Sequence, residues 1–184
     1  MPPAESEETG EGERFVESTI QGRKVLILGV GNTLLTDEGF GVAAAGWLES
    51  HYKWPEGVTI VDGGTLGYGL MAMICDCDFL VVLDIVLGGG EPGTTYLLEG
   101  EDLRKSVSFR DSTHQTDLLD TLASCELIGH RPDAIAFGLE PFDYRTMSMG
   151  ISPQAGEKLP DFCGKVVAEL RKRGLAIAEK SRGD

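Results

Sequence analysis

Four side chains combine the residue types and positions that chemistry requires: Glu38, Asp62, Asp84 and His114. Asp84 interrupts the most apolar run of the chain, Phe79–Leu87 (FLVVLDIVL), between Leu83 and Ile85. An ionised carboxylate is costly to bury alone, so Asp84 is expected at a strand mouth, paired or bound to a cation. Glu38 follows the apolar run that ends in the glycine-rich segment 29–41 (GVGNTLLTDEGFG), and Asp62 closes the run Val58–Asp62. His114 sits in the polar stretch Asp111-Ser112-Thr113-His114-Gln115, just before a helical pattern. Two carboxylates and an imidazole at one edge would form an oxygen and nitrogen donor set with open positions, suited to zinc or nickel. The histidine would bind only as the neutral ring. Spacing alone leaves simpler readings open. Asp37 or Glu38 could complement a helix dipole, Asp84 could cap a helix, and His114 could be a hydrogen-bonding loop residue. His51, at a helix end, and His130, beside Arg131-Pro132, are read as outside the site.

These residues need a scaffold that brings strand ends together. Residues 23–30 (RKVLILGV), Val58–Asp62, Phe79–Leu87 and Ala134–Leu139 read as strands, the third so uniformly apolar that it should be central and parallel. Thr94–Leu98 is a candidate strand at an antiparallel edge. Helices are expected over Gly39–His51, packing through Val42, Ala45, Gly46 and Leu48, and over Tyr68–Cys75, Gln115–Leu127 and Pro153–Arg173. This alternation predicts an α/β fold: a three-layer domain with a twisted, mostly parallel sheet of about five strands flanked by helices. In such a sheet the acids and the histidine fall on the carboxyl edge, where parallel sheets build their functional crevice.

The glycine segment superficially resembles a dinucleotide fingerprint. Gly29 and Gly31 fit, but the third glycine position is Leu34. The helix that follows opens on Asp37-Glu38, which would repel a pyrophosphate. Asp62 lies 31 residues past Gly31, beyond the usual spacing of about 20 for a ribose-binding acid. Dinucleotide binding is therefore not expected.

Composition narrows the class further. The 184 residues, 41% hydrophobic, suit one domain, with 30 Asp and Glu against 16 Lys and Arg for a net charge of −14. That balance argues against nucleic-acid binding. Residues 1–22 form an acidic segment expected to be flexible, with six glutamates among its first 20 residues against the single Arg14. The single α/β domain is expected over 23–184. No signal peptide is recognisable and no run approaches the roughly 18 apolar residues that cross a bilayer, so a soluble cytoplasmic protein without membrane insertion is expected. Cys75, Cys77, Cys125 and Cys163 fit free structural thiols rather than a disulfide framework.

Taken together, Gly29–Gly41, Asp62-Gly63-Gly64-Thr65, Leu83-Asp84-Ile85-Val86, Pro92-Gly93-Thr94 and Ser112-Thr113-His114-Gln115 occur in an order that resembles the NiFe-hydrogenase maturation endopeptidases. The resemblance spans roughly residues 24–172. It implies the same α/β fold and an enzyme that removes a short C-terminal extension from the hydrogenase large-subunit precursor once nickel is inserted. The family's nickel-binding glutamate, aspartate and histidine fall on Glu38, Asp84 and His114, and Asp62 matches a further acidic position in its D-G-G-T loop. Gly63 and Gly64, with Thr65, are the implied substrate-binding loop, where small residues allow a tight turn and close approach of a substrate backbone. Gly39 and Gly41 would let the first helix begin close to whatever docks there.

Two mechanisms use the same residues. In one, nickel belongs to the precursor, and Glu38, Asp84 and His114 complete its coordination so that only loaded precursor is positioned. In the other, the three residues hold their own zinc and activate water as a metallopeptidase would. The resemblance points to the first, and no H-E-x-x-H motif is present. No G-x-S-x-G elbow and no evident Cys-His pairing support serine or cysteine chemistry, so Asp62 or Glu38 is expected to assist water as base, an aspartic-type endopeptidase activity. A nickel-binding maturation scaffold without proteolytic activity shares every one of these features.

Overall fold

The computed structural model describes residues 19–100 and 113–181, excepting the side chains of residues 67–68 and 113–119. Five strands form one sheet. They are β1 (Val25–Val30), β3 (Val58–Gly64), β4 (Phe79–Ile85), β5 (Thr95–Glu99) and β6 (Asp133–Leu139), in the order β3-β1-β4-β6-β5. The first four run parallel and β5 pairs antiparallel with β6. Every residue of β1 and β4 is buried, as expected for central strands covered on both faces.

The side chains of those two strands alternate between two cores. Val25, Ile27, Phe79, Val81, Leu83 and Ile85 join one core, under helices α1 (Phe40–His51) and α4 (Pro153–Lys172). Leu26, Leu28, Leu80 and Val82 join the other, with Ile74 of α2 (Met71–Asp76) and Cys125 of α3 (Thr113–Leu127). Those helices supply the outer layers expected from the sequence. Asp84 shares the parity of Leu80 and Val82, so it faces the α2/α3 layer rather than the α1/α4 layer.

Several boundaries differ from the sequence reading. α1 packs through Phe40, Gly41, Ala44, Ala45 and Leu48, whereas Val42 is half-buried and Gly46 exposed. The tight approach of Gly41 to the sheet rotates the apolar face toward the glycine. The expected helix over Tyr68–Cys75 divides into a 3-10 turn, Gly67–Leu70, and α2. A short antiparallel ladder joins β2 (Tyr52–Lys53) to β7 (Ala178–Glu179), pieces too short for any periodicity to reveal. The expected flexible segment mostly lies outside the described residues. Its end does not behave as expected: Ile20 is fully buried and its N–H donates to the Arg173 carbonyl at 2.9 Å. The folded domain therefore begins before residue 23. All four cysteines are free thiols, and among the described residues no helix is long and apolar enough to cross a membrane.

Candidate functional site

In this strand order the chain leaves β1 toward β3 and then crosses to the other side of β1 to form β4. Open α/β sheets bind ligands at such a reversal, outside the carboxyl ends of the strands, here β1 and β4. Glu38 follows β1 in the 3-10 turn Thr36–Gly39, and Asp84 is the penultimate residue of β4. Both border this reversal and both are nearly inaccessible, at 6% and 7% exposure. Asp84 Oδ1 accepts the N–H of Ile85 at 2.8 Å. Asp62 pairs with Gly29 on β1 at the same edge but is exposed, and its Oδ1 accepts the Gly64 N–H at 3.0 Å. Thus two acids are withdrawn from water and a third stands open to it.

His114 is the second residue of α3, and its side chain lies outside the described residues. Topology still locates its backbone. α3 leads into β6, which is parallel to β4, so the helix must end at the amino edge of the sheet and begin at the carboxyl edge. Its packing layer is the one that Asp84 faces. Among the described residues no group of three or more His, Cys, Asp and Glu stands close enough to hold a metal ion.

Glycines bring the edge together. A Cβ on Gly41 would sit 2.0 Å from the Leu83 carbonyl and 2.4 Å from that of Val30. A Cβ on Gly31, at φ +137°, would lie 1.8 Å from the Glu38 carbonyl. The room expected for a docked molecule at Gly41 is thus filled by the protein's own strands, which seats the first turn of α1 between β1 and β4. At Gly63 the space is likewise filled from within, by Leu28 and Leu70, while Gly64 at φ +47° makes the turn and Thr65 is exposed.

Asp37, for which the sequence left a helix-dipole role open, has another task. It is completely buried. Its Oδ2 accepts the N–H groups of Phe142 and Asp143 at 2.9 and 3.0 Å, and its Oδ1 accepts that of Ser152 at 2.7 Å. The Ser152 hydroxyl also donates to it, at 3.1 Å, while accepting from Ala155 N–H to cap α4. The loop after β6 is thereby fastened to the turn that carries Glu38. A parallel bridge between Leu35 and Ser148 and the bond from the Thr36 hydroxyl to the Thr146 carbonyl add to the attachment. Within that loop, Asp143 is held below its usual range by the Thr146 hydroxyl and by the amides of Thr146 and Arg145.

Sequence reasoning missed Glu140, a buried acid directly after β6. Its Oε2 accepts from Gly88 N–H, Gly90 N–H and the Tyr96 hydroxyl at 2.9, 3.2 and 2.7 Å. It organises the glycine loop that leaves β4 just beyond Asp84. Burial raises the Tyr96 pKa, and the bond to Glu140 and its charge raise it further. The signal was present, since Glu140 ends an apolar run as Asp62 does.

The two remaining histidines and three of the thiols serve packing and hydrogen bonding. His51 stacks on Trp47 with ring centroids 3.9 Å apart, and His130 Nε2 donates to the Cys77 carbonyl at 2.9 Å. Burial pushes the thiol of Cys77 up to about 11 and those of Cys125 and Cys163 up to about 12. Thiols held protonated at neutral pH are poor nucleophiles.

The family profile described as hydrogenase maturation protease, HycI, matches residues 42–169. The "Hydrogenase expression/formation protein HupD" of Rhizobium leguminosarum bv. viciae is 32% identical over 162 residues, covering 87% of this chain and 80% of that protein. The "Hydrogenase 2 maturation protease" of Escherichia coli (strain K12) is 33% identical over 159 residues, covering 83% of this chain and 93% of that one. The solved hydrogenase maturating endopeptidase HybD from E. coli superimposes with a TM-score of 0.80 at 32% identity, covering 85% of this chain and 98% of that structure. With a five-stranded mixed sheet whose strand order reverses beside β1, and relatives of this kind along most of its length, the chain belongs to the hydrogenase maturation protease family.

Proposed function

We propose that this protein is a cytoplasmic endopeptidase that removes the C-terminal extension of a hydrogenase large-subunit precursor, with nickel carried by the precursor as the recognition element. The observation that carries this reading is the burial of Glu38 and Asp84 on either side of the strand-order reversal. The start of α3, with His114, belongs to the same edge. Carboxylates held largely out of water at the end of a strand bind a cation more strongly than exposed ones, because the surrounding medium screens them less. A nickel ion held in the precursor, offered to Glu38, Asp84 and His114, would meet borderline oxygen and nitrogen donors. Specificity then follows from coordination: a precursor lacking nickel offers nothing for the three residues to hold.

The exposed acid has the complementary role. Asp62 lies at the same edge and is open to solvent, so it can take a proton from water as the oxygen adds to the scissile carbonyl. Collapse of the tetrahedral adduct breaks the C–N bond, and the leaving amine takes up the proton that Asp62 received, which restores the carboxylate. Glu38 is the alternative base, and Gly63, Gly64 and Thr65 form the loop along which the extension lies.

The test is an intact-mass measurement of nickel-loaded precursor before and after incubation with the protein. Loss of a C-terminal peptide is expected, and retention of full mass would make the chain a binding scaffold. His114→Ala should keep its fold by circular dichroism while precursor stays uncut. Efficient cutting of nickel-free precursor would overturn the recognition role of the metal, and one tightly bound zinc per purified chain would favour a resident metal.

A further inference from the structure

Leu34, Met147 and Met149 are large apolar side chains left 54%, 83% and 83% exposed. They do not stand on loose loops. Ser148 N–H donates to the Leu34 carbonyl at 3.1 Å, Thr36 N–H to the Ser148 carbonyl at 3.0 Å, and Gly150 N–H to the Thr33 carbonyl at 3.4 Å. Met147 and Met149 therefore flank the residue that pairs with Leu34 and Leu35. Their platform is fixed from beneath by buried Asp37, immediately before Glu38.

Charge sets this surface apart. Residues 31–36 and 144–152 contain Arg145 as their sole charged residue, in a chain of net charge −14. Depletion of charge with enrichment of methionine is the composition of an interface centre. Methionine also adapts its shape to a partner without polar atoms to satisfy. A preorganised backbone lowers the ordering entropy that binding must overcome.

We infer that Leu34, Met147 and Met149 form a docking lip for an uncharged, apolar surface of the folded large-subunit precursor, next to the crevice that takes its metal-bearing C-terminal region. This rests on the proposed substrate and adds a contact outside the residues that meet its metal and its scissile bond. Such a contact supplies affinity without entering the chemical step, so its loss raises KM and leaves kcat in place.

The test uses the full chain and nickel-loaded precursor, with the paired substitutions Met147→Glu and Met149→Glu. Both side chains point to solvent, so the melting temperature should move by no more than about 2 °C, the effect of surface changes. Affinity for immobilised precursor should fall at least tenfold, with a matching rise in KM and kcat within twofold. The control pair Leu127→Glu and Ile128→Glu alters exposed apolar residues at the far end of α3 and should leave affinity unchanged. Unchanged affinity in the methionine variant, an equal loss in the control, or no binding by the parent protein overturns the lip. A parent dimer that the methionine variant splits would assign the surface to a second copy and also overturn it. If the parent binds through these methionines but leaves precursor mass unchanged, the lip stands and the proteolytic reading fails.

Discussion

Removing the Asp37 carboxylate should loosen the whole crevice. In Asp37→Ala, the N–H groups of Phe142, Asp143 and Ser152 and the Ser152 hydroxyl lose their acceptor. A hydrogen bond to a charged group contributes about 1.5–3 kcal/mol, so the three amides alone set an upper bound of about 5–9 kcal/mol. The bonds share one carboxylate and do not add independently. Water can also reach the half-buried Phe142 and Asp143, leaving an expected loss of about 3–5 kcal/mol. At about 2–4 °C per kcal/mol for a chain of this size, the melting temperature should drop by about 6–20 °C. Asp37→Asn keeps one acceptor oxygen and should lose about half as much. Urea unfolding measures the energy, and amide exchange at residues 142, 143 and 152 measures the local release. A loss under about 1 kcal/mol with unchanged exchange at those amides would refute the role assigned to Asp37.

Two further outcomes follow from packing and from burial. Gly41→Ala, whose Cβ would overlap the Leu83 and Val30 carbonyls, should give insoluble or unfolded protein. Gly46→Ala, in the same helix with open space around it, should instead gain about 0.5–1 kcal/mol; similar behaviour of the two variants in expression and thermal melts would contradict the packing argument. Cys163 ionises at about 12 when folded but near 8.5 in an unfolded chain. A raised folded-state pKa leaves stability intact below the unfolded value and removes it as pH climbs through the folded one. Urea midpoints should therefore decline above about pH 8.5, and Cys163→Ala should show a shallower decline than the parent protein.

The central strands were legible because their composition allows little else. VLILGV and FLVVLDI contain almost no polar group, so both faces of each had to be covered. Glu38, Asp62 and Asp84 were legible for the converse reason, as acids at the mouths of such runs. What sequence could not convey was the partner each acid serves. Asp37 and Glu38 are adjacent acids in one motif, yet one fastens a loop more than 100 residues away while the other borders the strand reversal. Glu140 ends an apolar run too, but without the fold nothing connects it to Gly88, Gly90 and Tyr96. The exposed methionines lie in an irregular loop fastened to residues 33–37, and no periodicity marks them.

The distance in sequence that Asp37 spans also sets a timetable. Its bond to Ser152 joins residues 115 positions apart. At ribosomal rates of about 5–20 residues per second, roughly 6–23 s pass between the synthesis of the two ends. During that interval the nascent chain holds the Glu38 motif and β1 but neither the complete loop that fastens them nor any of α4. The crevice closes only when the C-terminal third has emerged. A ribosome-bound chain halted before residue 152 would carry every acid of the site and still not have the site.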